Sequence, residues 1–145
     1  MIIGFNHLSF TVSDVDKSIE HYTKNLGFLV ISLADRPEEY VQSVTGMRTG
    51  MRIAYLKGYN TVLELIEYNS NKSSIDQSRL GSIGTGHLCL NVDDIADTVA
   101  ALKKNGVSFL GEPVLIPAGT NKGGFVVYSL DPDGIVNEFI QAPMH

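Results

Sequence analysis

The chain carries one pattern twice. "HLSFTVSDVDKSIEHYTKNLG", starting at His7, aligns with "HLCLNVDDIADTVAALKKNG", starting at His87, with one deletion near the end. "KGYNTVLELI" aligns without a gap on "DPDGIVNEFI", which sets Glu64 on Glu138. A duplicated pattern of this kind means one supersecondary unit built twice. No other feature restricts the fold as strongly.

Within the first copy, residues 5–12 alternate. Leu8, Phe10 and Val12 point one way, and His7, Ser9 and Thr11 the other, as in a half-buried strand. A helix follows, with Ser13 as the expected N-cap, Asp16 three residues on, Val15, Ile19 and Tyr22 at helical spacing, and Gly27 as a left-handed stop. "FLVISLA" reads as a strand, and "RPEEYVQSVTGMRTG" as a loop with room for a short helix. "MRIAYLK" and "TVLELIEY" read as strands joined through the turn "GYN". In the second copy "HLCLNV" is a strand, and "DDIADTVAALKKNG" is a helix capped by Asp93 or Asp94 and ended by Gly106. "VSFLGEP" is a strand, "VLIPAGTNKGG" a loop, and "FVVYSL" and "IVNEFI" are strands joined by "DPDG". The expected class is α+β, with two βαβββ modules and eight strands. Residues 1–145 are read as a single domain, with a first module over 1–68, a Ser-, Asn- and Gly-rich linker over 69–84, and a second module over 85–145.

Composition narrows the partners. A net charge of −5 with scattered Lys and Arg argues against nucleic acid and anionic membrane. No apolar run approaches membrane-spanning length. The single cysteine, Cys89, excludes an intrachain disulfide framework and fits a reducing compartment. "MIIGFNHLSF" has no basic or long apolar region of a signal peptide, so a cytoplasmic location is expected.

The repeat changes the status of four residues. Each half places a histidine in its first strand and a glutamate in its last. Glu64 shares a side with Val62 and Ile66, and Glu138 with Val136 and Ile140. A carboxylate among Val and Ile is costly unless it is paired or binds a cation. His7, Glu64, His87 and Glu138 thus form a candidate ligand set for one divalent transition metal: Zn, Ni, Co, Mn or Fe. Taken singly, each histidine is an ordinary packed or exposed residue and Glu64 a strand carboxylate in an ion pair; recurrence favours the shared site. His21 and His145 are assigned no chemistry, and Cys89 is read as a small buried hydrophobe.

These residues carry a resemblance. "NHLSFTVSDVDKSIEHYTKNLGF", "LELIEY", "GHLCLNVDD" and "DPDGIVNEF" resemble the vicinal oxygen chelate superfamily over essentially the whole chain. The resemblance implies an eight-stranded, cup-shaped mixed sheet with a metal at its base. It implies a small-molecule substrate bound through vicinal oxygens, and a homodimer. In the glyoxalase I pattern the metal ligands fall on His7, Glu64, His87 and Glu138. The implied activity is that of a metal-dependent lyase or isomerase passing through an enediolate. Glu138 is then the first choice of catalytic base, with Glu64 its counterpart, and the metal is Ni, Co, Zn or Mn.

Three other activities of the superfamily remain open. They are a methylmalonyl-CoA epimerase-like reaction, an extradiol dioxygenase using Fe with His7, His87 and Glu138, and non-catalytic sequestration of a small molecule as in resistance proteins. Bacterial glyoxalase I carries a glutathione-binding Arg where Thr11 stands, and an "ELTxN" stretch where this chain has "ELIEY", with Glu67 and Tyr68. Arg48, Arg52 and Lys122 are candidate anchors for an anionic substrate, set against the plainer reading of solvated cations. Residues 117–124, "PAGTNKGG", read as a flap or a simple connection.

Overall fold

Alternation in the strands decides what each sheet face can bury. The computed structural model describes residues 1–70, 73 and 80–143. The chain divides into two compact units, Met1–Ser74 and Ile75–His145. In the first unit β1 (Leu8–Thr11), β2 (Leu29–Arg36), β3 (Met51–Gly58) and β4 (Thr61–Tyr68) form one sheet in the order β1-β4-β3-β2. The β1–β4 pair is parallel and the others are antiparallel. The parallel pair needs a crossover; it starts with α1 (Val15–Glu20), which continues into a π-helical turn over His21–Asn25. Ala54, Leu56, Leu63 and Leu65 are fully buried. They alternate with Tyr55 and Glu64, so Glu64 lies on the sheet face opposite these fully buried side chains. Burying each leucine contributes about 1.5–3 kcal/mol.

The second unit repeats the plan. Its strands are β5 (Leu88–Val92), β6 (Ser108–Phe109), β7 (Val114–Leu115), β8 (Phe125–Leu130) and β9 (Val136–Gln141), with β5 parallel to β9. The sheet order is β5-β9-β8-β6, and β7 pairs with β8. The helix α3 (Ile95–Lys104) buries Ile95, Val99 and Leu102, one stripe at helical spacing. Each sheet is mixed and the class is α+β, as expected. Nine strands are present among the described residues rather than eight. The extra one is β7, at the start of the segment read as a loop, while the expected strand at "VSFLGEP" shrinks to Ser108–Phe109. The first unit also holds α2 (Glu38–Thr45), the short helix for which the sequence left room.

A repeated tie joins each helix to its sheet. Glu67 Oε2 accepts from Val15 N at 2.9 Å, and Gln141 Oε1 accepts from Ile95 N at 2.9 Å. Both side chains sit three residues after the repeated glutamate and take up a helix N-terminal N–H that has no partner within its helix. The N-cap of α1 is Asp14, not Ser13: its Oδ1 accepts from Asp16 N and Lys17 N, each at 3.1 Å. Once Val15 is fixed by Glu67, Asp14 is the residue immediately outside the helix. Asp94, its repeat equivalent, caps α3 by accepting from Asp97 N at 2.8 Å. The turn between β3 and β4 has Tyr59 at φ 52° and Asn60 at φ 61°, both left-handed, as a two-residue hairpin requires. No helix among the described residues is long and apolar enough to cross a membrane. Residues 71, 72 and 74–79 of the expected linker, and His145, lie outside the described residues.

His21 lies buried in the π-helical turn. Its Nδ1 accepts from Asn25 Nδ2 at 3.4 Å, and burial pulls its pKa down to about 4. The unfolded chain therefore binds a proton that the folded chain resists. The stability held by neutral His21 is complete above the ordinary histidine pKa and is lost as the pH falls toward 4. Denaturant melts of the native protein and of His21→Gln should differ by a pH-dependent amount, reaching about 3 kcal/mol between pH 7 and pH 4. Equal pH slopes would remove His21 as the cause.

Candidate metal centre

In the first unit the β1–β4 register sets Ser9 opposite Glu64. His7 lies two residues earlier, just before β1 rather than within it, and its Nε2 stands 3.5 Å from Glu64 Oε1. Glu64 is 7% exposed. Its second oxygen, Oε2, accepts a short hydrogen bond from the Tyr55 hydroxyl, directly across the β3–β4 register. That bond, followed by desolvation, pushes the Tyr55 pKa up to about 12. The His7 ring meets Tyr55 edge-on at 5.6 Å. On its other side, His7 Nδ1 is 2.7 Å from Asn6 Oδ1. A carbonyl oxygen only accepts, so Nδ1 carries the proton, and an imidazole with that single proton turns its Nε2 lone pair toward the carboxylate. Two acceptors facing each other call for a proton or a cation between them.

The second unit repeats the arrangement with different details. His87 precedes β5, and its Nε2 is 2.8 Å from Glu138 Oε2. Cys89 stands opposite Glu138 in the β5–β9 register, and Tyr128 opposite it in β8–β9. The His87 and Tyr128 rings are 5.6 Å apart and tilted. Cys89 is exposed, contrary to the expectation of a buried hydrophobe, because its side of β5 is the one facing Glu138. Partial desolvation, with the Glu138 charge beside it, pushes the thiol up to about 12, so it stays protonated. The same two causes, in the same order, raise Tyr128.

The tyrosines were missed in the sequence because the ungapped alignment sets Tyr55 on Ser129. The registers show nine residues from Tyr55 to Glu64 and ten from Tyr128 to Glu138. One extra residue in the "DPDG" turn displaces the second tyrosine. There Asp131 Oδ1 accepts from Asp133 N and Ile135 N. A single gap in that turn aligns the tyrosines with each other.

The cations also sort by face. Arg52 pairs with Glu67 in the β3–β4 register, three residues from Tyr55, and therefore lies on the helix side of the sheet. It forks onto Asp16 of α1 at 2.7 and 3.3 Å, and its Nε is 3.8 Å from Asp35. Hydrogen bonding to Asp16 raises its pKa further. Arg52 thus stands on the sheet face opposite Glu64, with acidic side chains as its partners. Arg48 and Lys122 are exposed. Arg36, which the sequence did not single out, pairs with Met51 on the Tyr55 side, and its charge reaches the Tyr55 hydroxyl. Val41 of α2 packs with Met51 and Ile53, with Tyr55, Ile66 and Tyr68 against them, and so covers part of this face.

Two donors at right angles and each about 2.1 Å from one ion stand about 3 Å apart. The two pairs bracket that spacing, and each offers one imidazole nitrogen and one carboxylate. These donor types and spacings fit a divalent transition metal. Within each unit, among the described residues, no third His, Cys, Asp or Glu completes a ligand cluster around the pair.

The sequence profile described as the Glyoxalase/Bleomycin resistance protein/Dioxygenase superfamily matches residues 4–139. A lactoylglutathione lyase of Escherichia coli O157:H7 is 31% identical over 138 residues, covering 93% of this chain and 90% of that protein. A lactoylglutathione lyase of Arabidopsis thaliana is also 31% identical over 138 residues, covering 94% of this chain but 44% of that protein. The chain thus spans less than half the length of the plant relative. A crystal structure of a glyoxalase family protein from Bacillus cereus matches in fold, with a TM-score of 0.81 and 20% identity over 99% of this chain and 97% of that one.

Residues 117–124 lie between β7 and β8 and are held by backbone bonds. Gly123 N donates to Ile116 O, and Ile116 N to Gly124 O, both at 2.9 Å. A Cβ on Gly124 would stand 2.2 Å from Gln141 O. Gly124→Ala should therefore destabilise the protein by about 1–3 kcal/mol, read by denaturant melts. An unchanged melt would show that this backbone approach is not required.

Proposed function

This chain belongs to the glyoxalase/bleomycin resistance protein/dioxygenase superfamily, and we propose that within it the protein is a divalent-metal-dependent lyase or isomerase. The carrying observation is the repeated histidine–glutamate pair, with His7 Nε2 3.5 Å from the buried Glu64 and His87 Nε2 2.8 Å from Glu138. His7, Glu64, His87 and Glu138 would hold the ion, Ni, Co, Zn or Mn, with the two pairs drawn from one chain or from two copies in a homodimer. The bound ion supplies positive charge toward the vicinal oxygens of a small-molecule substrate. Glu138 takes a proton from the carbon beside a carbonyl and returns it to the same or a neighbouring carbon. Tyr128 and the neutral Cys89 thiol flank that carboxylate, and Arg36 offers a cation on the Glu64 face for an anionic group of the substrate. The protein acts in the cytoplasm in this reading.

A second reading, an epimerase acting on a substrate other than a glutathione adduct, is favoured by Glu67 and Tyr68. Glu67 is committed to the α1 terminus and Tyr68 to packing around Val41, Met51 and Ile53. Neither is set free to meet a tripeptide.

Metal analysis of the purified protein, with turnover screens on methylglyoxal–thiol adducts, acyl-CoA epimers and catechols, separates these activities. Tightly held Fe with oxygen consumption would replace the proposal by a dioxygenase. Glu138→Gln is expected to lower turnover by roughly 100-fold or more with an unchanged melting curve; near-normal activity would remove Glu138 as base. Arg36→Gln should raise KM about tenfold for an anionic substrate, by loss of a charge-assisted hydrogen bond, while Arg52→Gln leaves KM unchanged. The opposite pattern would return the anchor to Arg52.

A further inference from the structure

Both repeated glutamates face a tyrosine across the same strand register, yet only one is hydrogen-bonded by it. Tyr55 donates to Glu64 Oε2, and His7 Nε2 stands 3.5 Å from Oε1. Tyr128 stands at the matching register position but leans on His87, and Glu138 is paired through Oε2 to His87. The difference has a packing cause. Tyr55 rests against the cluster of Val41, Met51 and Ile53, with Val41 supplied by α2. The second unit has no helix in the corresponding position, between β6 and β8; β7 and the loop over residues 117–124 are found there instead.

We propose that Tyr55 is a positioning residue that holds Glu64 as a standing metal ligand and thereby reserves the role of mobile base for Glu138. The inference rests on the metal-dependent reading above. A carboxylate that must leave a cation, take a proton and return has to exchange its partners during each turnover. Glu64 would break a bond to Tyr55 as well as its place beside His7. Glu138 has no tyrosine bond; the Cys89 thiol, a weak donor, stands beside it instead. The two halves of a duplicated site are thus made unequal by one hydroxyl, and the inequality assigns a direction to the chemistry.

The test is Tyr55→Phe, which keeps the ring and its packing and removes only the hydroxyl, with Tyr128→Phe as its control. Co²⁺ is titrated into each purified protein while the visible absorption of the bound ion is recorded. Loss of an outer partner of a ligand costs about 10–100-fold in metal affinity, so Tyr55→Phe should bind Co²⁺ at least tenfold more weakly and with a shifted spectrum. Tyr128→Phe should match the native protein in both. At saturating metal, Tyr55→Phe should lose kcat with KM little changed. Native affinity and spectrum in Tyr55→Phe, or equal losses in both variants, would overturn the proposal. A native protein that takes up no Co²⁺ would overturn the metal-dependent reading and this inference with it, an outcome distinct from the first two.

Discussion

A strand covered by a helix on one side has only its other side left for chemistry. That constraint governs both units. In β4 the leucines at 63 and 65 face the helix and are fully buried, while Glu64 between them faces away. In β9 Asn137 and Phe139 take the covered side and Glu138 the other. The same strand then ends in the residue that ties down the helix, Glu67 in one unit and Gln141 in the other. One short segment therefore places the core, fixes the helix and presents the carboxylate. A one-residue slip of register would reverse all three.

The carboxylate so presented sits among apolar neighbours, and its partners determine its behaviour. Glu64 accepts from a phenol on one oxygen and faces, on the other, an imidazole oriented through Asn6. Glu138 meets an imidazole directly and has a protonated thiol alongside. Both environments keep the site's donors close together while leaving room for a cation to replace a proton. The helix α2 and the loop over residues 117–124 occupy comparable places in chain order and surround the two tyrosines differently. Duplication supplied equal parts, and these insertions made them unequal.

Much of the fold was legible because its signals are local. Period-two alternation, the two helical stripes, the left-handed glycines and the repeat itself all depend on residues near one another in the chain. The His and Glu of each half were legible for the same reason: they recur at matching places in a pattern of known period. Errors came where two neighbouring residues compete for one role, as Ser13 and Asp14 do for the cap. They also came where a turn absorbs a residue, as at "DPDG", which hid Tyr128 from Tyr55.

The sequence by itself determined the class of fold, the twofold plan and the residue types at the site, since periodicity and repetition are properties of the chain. Only the tertiary structure decided which face each charge occupies. Arg52 and Arg36 are both arginines at the edge of a strand pattern, but cross-strand register sends one to the helix and the other toward Tyr55. The same register sets a phenol opposite each glutamate, yet only Tyr55 bonds to its own. Composition does not record such contacts, because they join residues on different strands and depend on the length of the turns between them.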